Sequence, residues 1–145
     1  MIAREKLREY YISKGMGEPD GWFAILLFGR RWRLFPMGPL QPLLTLHDLH
    51  HLLTGTDSSL GGEAEVIAWE IGSGGYGKFW FAWMDSLKIV ALALLYPRRF
   101  QAARRRGLQC RNLYREDVEE VLSLEWNTLR AKVGLSEETK TGEIP

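Results

Sequence analysis

The sequence predicts a mainly α-helical fold: a compact bundle of about five helices with a small β-hairpin near the N-terminus. Apolar residues recur at helical spacing in most segments of the 145 residues. The exception is residues 22–35, where two extended runs flank a glycine-containing turn. A hydrophobic content of 46%, with six Trp, six Phe and five Tyr, is enough for one domain with a real core. That domain is expected to span residues 1–135, followed by a polar, frayed tail at 136–145.

The net charge of +1 argues against a generic polyanion binder, so any basic character must be local. Cys110 is the single cysteine, which excludes an internal disulfide framework and fits a reducing compartment. Residues 1–16 alternate charge instead of running apolar, so neither a signal nor a transit peptide is read there. A cytoplasmic protein is the expectation.

Ile2 to Lys14 alternates apolar and charged residues as a short amphipathic helix does, and Gly15 and Gly17 end it. Phe23 to Phe28 and Trp32 to Phe35 form the hairpin around Gly29. An isolated hairpin is marginal, so this one should lie on the helices. The alternative is that its aromatics touch lipid or a partner. Pro36, Pro39 and Pro42 make a rigid connector into the segment that dominates the chain.

That segment, Leu43 to Glu70, reads as helix, loop, helix. With His47 set at zero and about 100° per residue, His51 falls near 40° and Asp48 near 100°. Leu46, Leu49 and Leu53 fall at roughly 200 to 260°, on the opposite side. The first helix is therefore apolar behind and carries a narrow polar front. Thr54 and Gly55 supply its stop. In the second helix Glu63, Val66, Ile67, Glu70 and Ile71 share one stripe, which sets two carboxylates on a core face. Unpaired carboxylates are costly there, and a cation or the imidazoles of the preceding helix are their natural partners.

His47, Asp48 and His51, followed after eleven residues by Glu63, are thus the candidate ligands of one divalent ion. Imidazole nitrogen with carboxylate oxygen suits zinc, and also iron, cobalt or manganese. The competing reading makes both histidines ordinary helix residues and Asp48 a solvated acid; the convergence of Asp48 and Glu63 on them weighs against it. Glu70 is placed to hold a ligand imidazole in its metal-binding tautomer. His50, near 300° on the same wheel, is read as a supporting or packing residue off the ligand face.

Gly72 to Gly77 is a loop without the strand and helix that a dinucleotide-binding glycine motif requires. Lys78 to Tyr96 is the most apolar run, but Asp85 and Lys88 at its centre argue against a membrane span. It is expected to be a buried or interfacial helix with Asp85 and Lys88 paired. Phe79, Trp80, Phe81 and Trp83 are candidates to line an apolar groove for a long hydrocarbon. Pro97 opens a further short helix. Its Arg98, Arg99, Arg104, Arg105 and Arg106 are either a solvated face or contacts for an anionic membrane surface or phosphate. Nucleic acid is not expected, because no binding motif is present and acidic segments lie nearby. Asn112 to Leu135 reads as one last helix closed by Gly134.

HDLHH at 47–51, the following LTG, Gly62-Glu63 and RNLY at 111–114 together resemble the family of the fourth protein of coenzyme Q (ubiquinone) biosynthesis, here called Coq-four. The family's HDxxH, eleven residues, E pattern falls on His47, Asp48, His51 and Glu63. The resemblance covers roughly residues 45–135 and is that of a short, bacterial-type member, since full-length members have more helical sequence before the motif. It implies a helical protein peripheral to the inner membrane and associated with other quinone-pathway proteins. It also implies a prenylated quinone precursor as ligand, with loss of the ring carboxylate and hydroxylation at that carbon. On that reading the ion would polarise a phenol or carboxylate, and Asp48 or Glu63 would serve as the catalytic base. The rival is a non-catalytic isoprenoid-lipid-binding or scaffold protein whose metal staples two helices. An HD-type phosphohydrolase lacks its further histidine here, and Ser58 and Ser59 are better placed to cap a helix than to act as nucleophiles.

Overall fold

Local sequence sets each helix boundary that matters for the site. The computed structural model describes residues 1–16, 21–36 and 38–135; Gly17 and the expected polar tail at 136–145 lie outside them. Helix α1 (Ala3–Ser13) buries Ala3, Leu7 and Tyr11, which recur every fourth residue on one face. The Glu5 carboxylate accepts from the Ile2 amide at 3.0 Å, satisfying one of the free donors at its start.

Strands β1 (Trp22–Leu27) and β2 (Arg30–Pro36) pair antiparallel, with Leu27 opposite Arg30 and Trp22 opposite Pro36. The two turn residues, Phe28 and Gly29, both have positive φ, 54° and 71°, as a tight hairpin of the right twist requires. The hairpin forms as expected, but β2 does not lie buried on the helices: it is exposed along nearly its whole length. Arginines at 30, 31 and 33 interleave with Trp32, Leu34 and Phe35, so neither face of β2 is uniformly apolar.

A short turn, Gly38–Leu40, leads into α2 (Gln41–Thr54), which has Pro42 in its first turn, where a missing amide costs no bond. Gly55 ends α2 in the left-handed conformation at φ 71°. Helix α3 (Leu60–Gly72) begins at Ser59, whose hydroxyl accepts from the Gly62 amide at 3.1 Å.

The apolar run at 78–96 is not one helix. Residues Trp80–Asp85 form a tight 3-10 turn and only Ser86–Leu95 form α4. Aromatic side chains lose rotamer freedom in an α-helix, and Phe79 turns inward onto Tyr114 with ring centroids 5.7 Å apart. Nor is α4 a central core helix: Leu92 is its one buried residue, while Leu87, Val90, Leu94 and Leu95 are exposed. Helix α5 (Pro97–Gly107) starts at Pro97 as expected.

The last expected helix is also two, α6 (Val118–Ser123) and α7 (Trp126–Val133), capped by the Asp117 and Glu125 carboxylates. Between them Leu124 is extended. Its carbonyl accepts from the Ala3 amide at 2.9 Å, and the Trp126 amide donates to the Met1 carbonyl at 2.9 Å. The N-terminus thus takes the backbone groups that a continuous helix would have used internally. The fold is mainly α, with seven helices among the described residues where about five were expected.

The main core gathers Leu7 and Tyr11 of α1, Leu46, Leu49 and Leu53 of α2, then Tyr76, Phe79, Leu113 and Tyr114, and residues of α6 and α7. A second core joins Ala64, Val66 and Ile67 of α3 to Leu92 of α4. Helices α3 and α5 pack backbone to backbone, because a side chain at Gly72 would strike the Arg104 carbonyl and one at Gly107 the Trp69 carbonyl. Among the described residues no helix is long and apolar enough to cross a membrane.

Candidate metal centre

Burying Leu46, Leu49 and Leu53 in the main core turns the opposite face of α2 toward α3. His47, His51 and Glu63 then meet: one ligand atom from each lies within 4.8 Å of the others. His51 Nε2 is 2.9 Å from Glu63 Oε1, and His47 Nε2 is 3.5 Å from Glu63 Oε2. Two ligands about 2.1 Å from a tetrahedral ion stand about 3.4 Å apart, so these spacings suit a single ion.

Proton counting places a proton on Nδ1 of every histidine. The Leu113 amide donates to His50 Nε2 at 3.0 Å, so the proton of the His50 ring is on Nδ1, which donates to Glu70 Oε1 at 2.8 Å. His47 Nδ1 also donates to Glu70 Oε1, at 2.8 Å. The Thr54 hydroxyl donates to the His50 carbonyl at 2.7 Å, so in its 3.1 Å contact with Thr56 it accepts. With its only proton spent on Thr54, Thr56 must accept from His51 Nδ1 at 2.9 Å. The Nε2 atoms of both His47 and His51 are left to face the carboxylate of Glu63. Two Nε2 atoms facing one carboxylate at these distances are matched either by a proton on Nε2 or by a divalent cation between them.

Charge offers the same two solutions. Glu70 is fully buried, and Glu63 is largely so. Burial alone would depress the His47 imidazole, but the charge of Glu70 and hydrogen bonds to Glu63 and Glu70 outweigh it and lift its pKa to about 10. Burial would likewise raise Glu70, yet His47 and His50 hold it at about 2. Glu63 is held well below the usual carboxylate range by both imidazoles, against its own burial. Without an ion the His47 proton is the local cation; a divalent ion would neutralise both carboxylates at once. The donor set therefore fits one divalent metal, with Glu70 orienting His47 from behind.

Asp48 is not among the three converging groups. Its Oδ2 accepts from the Tyr11 hydroxyl at 2.6 Å, and burial raises its pKa against that hydrogen bond. His50 and Glu70 stand behind the ligands. Of the residues considered for lipid or anion contact, Phe79 is buried in the main core and Trp83 is exposed against Tyr76, ring centroids 5.0 Å apart. The side chains of Trp80 and Phe81 lie outside the described residues. Arg98, Arg99, Arg104 and Arg105 are exposed on α5, and Arg99 donates to Glu65 Oε1 at 2.8 Å.

Several contributors carry no signal in the spacing of the ligands. The Tyr114 hydroxyl donates to Glu70 Oε1 at 2.6 Å, and the Asn112 amide donates to the Glu70 carbonyl at 3.0 Å. Both belong to the RNLY stretch, whose part in the site could have been suspected from its share in the resemblance. Tyr11, Thr56 and Lys88 had no such pointer. Lys88 of α4 places Nζ 3.9 Å from Glu63 Oε2 and 3.7 Å from Asp85 Oδ2.

No protein-family model, curated protein or solved structure matches the chain.

Proposed function

We propose that the chain is a metal-dependent protein of the Coq-four type, which binds one divalent ion and acts on a prenylated quinone precursor in ubiquinone biosynthesis. The observation that carries the metal reading is the meeting of His47, His51 and Glu63, with Nδ1 of His47 on Glu70 and Nδ1 of His51 on Thr56, so that both Nε2 atoms face Glu63. Zinc suits this donor set, and iron, cobalt and manganese remain chemically compatible. Three protein ligands leave a coordination position for substrate, which favours catalysis over a purely structural ion. Bound there, the ion supplies Lewis acidity to a phenol or carboxylate oxygen of the ring. Asp48, with its raised pKa, is the better carboxylate to take up a proton; Glu63, held low by the imidazoles, would do so only on leaving the ion. The ring step itself, carboxylate removal and hydroxylation at that carbon, comes from the sequence resemblance.

A second reading, a non-catalytic isoprenoid-lipid-binding or scaffold protein, is favoured by one observation. Helix α4 exposes Leu87, Val90, Leu94 and Leu95, with Leu87 at 82% and Leu94 at 76%. An apolar face of this kind beside the arginines of α5 suits a lipid surface or another quinone-pathway protein.

Metal analysis of the purified protein beside His51→Ala tests the site. Near-stoichiometric metal in the parent and less than about a tenth of it in the variant is the expected outcome. Incubating the metal-loaded protein with a prenylated 4-hydroxybenzoate then separates the readings. Loss of the ring carboxylate supports catalysis, and binding without turnover supports the lipid-binding alternative. An unchanged metal content in His51→Ala would defeat the site.

A further inference from the structure

We propose that Lys88 is the specificity-determining residue of the metal centre and selects ligands bearing an organic carboxylate, one oxygen on the ion and the other on its ammonium. The inference rests on the metal reading above. Lys88 is 49% exposed and Glu63 is 22% exposed, so the ammonium stands where the cluster opens to solvent. Its separations from Glu63 Oε2 and Asp85 Oδ2, 3.9 and 3.7 Å, are those of ion pairs too long to be hydrogen bonds. All three ammonium protons are therefore unspent on these two carboxylates.

Metal binding changes the balance at this residue. Once Glu63 shares its charge with a divalent ion, its hold on Lys88 weakens and Asp85 is the remaining partner. Asp85 is 61% exposed and only three residues away on the chain, a pair of little strength in water. A carboxylate arriving at the ion has a second oxygen to offer, and Lys88 supplies a cation for it at the cost of that one exposed contact. A neutral ligand gains nothing from Lys88.

The turn that leads into α4 is aromatic. Trp83 lies in the turn that ends at Asp85 and stacks edge to face on Tyr76, itself 6% exposed.

The test uses the cobalt-loaded full chain titrated with benzoate, followed by the visible absorption of the ion, and with imidazole as a neutral ligand. Lys88→Met is expected to keep its cobalt and its imidazole affinity while losing about tenfold in benzoate affinity. Lys88→Arg, which keeps the charge, is expected to stay within about threefold of the parent. Unchanged benzoate affinity in Lys88→Met overturns the proposal, as does an equal loss for imidazole. A parent that holds cobalt but does not respond to benzoate defeats the role of Lys88 alone. A parent that takes up no cobalt defeats the metal reading, and this inference falls with it.

Discussion

Glu70 carries three hydrogen bonds on one oxygen, from His47, His50 and Tyr114, while its Oε2 has no partner among the described residues. A buried carboxylate so arranged survives because its charge is answered by His47 and shared among strong donors. It holds the His47 ring by Nδ1 and turns Nε2 toward Glu63, the orientation that the proposed ion would use. Replacing Glu70 with Gln removes the charge and is expected to weaken zinc binding by about 10- to 100-fold, measured by competition with a chromophoric chelator. Affinity unchanged in Glu70→Gln would mean that His47 is held by something other than this carboxylate. At this scale His47, His51, Glu63 and Glu70 were legible, because helical geometry converts their spacing directly into shared faces. Tyr114 and Asn112 were not, since they reach Glu70 across about forty residues of chain that no local rule can fold.

At the scale of elements, α3 is fixed from two sides. Its Glu63 meets α2, and its Gly72 lets it close on α5, where Gly107 returns the favour against the Trp69 carbonyl. The clashing partner is backbone, which cannot swing aside as a flexible side chain would. Gly107→Ala is therefore expected to destabilise the protein by about 1–3 kcal/mol in urea unfolding, and a variant as stable as the parent would show that α3 and α5 can separate cheaply. Periodicity located α1, α2, α3 and α5 closely, because each buries one stripe against a neighbour. It overextended the two segments at 78–96 and 112–135. In the second, Asp117 and Glu125 are capping residues that mark the true starts, but the break at Leu124 exists because residues 1–3 bond there.

For the whole molecule, the cluster couples stability to pH. His47 rises from 6.5 to about 10 on folding, so its contribution is complete below 6.5 and is lost as pH climbs through about 10. Glu70 falls from 4.5 to about 2, so its contribution is present above 4.5 and is lost as pH drops toward about 2. For these two groups the metal-free protein is thus most stable between 4.5 and 6.5. An ion bound as proposed would take the place of the His47 proton on Nε2 and remove the alkaline loss. Melting temperatures from pH 4.5 to 10 with and without zinc should therefore diverge increasingly above 6.5. Parallel curves would contradict this assignment of the His47 proton.

The chain by itself determined the helical class, the hairpin, and the faces on which two histidines and two glutamates stand, since these follow from the angular period of a helix and the stereochemistry of glycine and proline. Tertiary structure decided which carboxylates answer which imidazoles. Asp48 shares the polar front of α2 with the histidines, yet Tyr11 from α1 draws it into a separate hydrogen bond while Glu63 takes the place between them. That choice depends on where α1, α3 and the 112–114 segment pack, and such long-range contacts leave no period in the sequence to read.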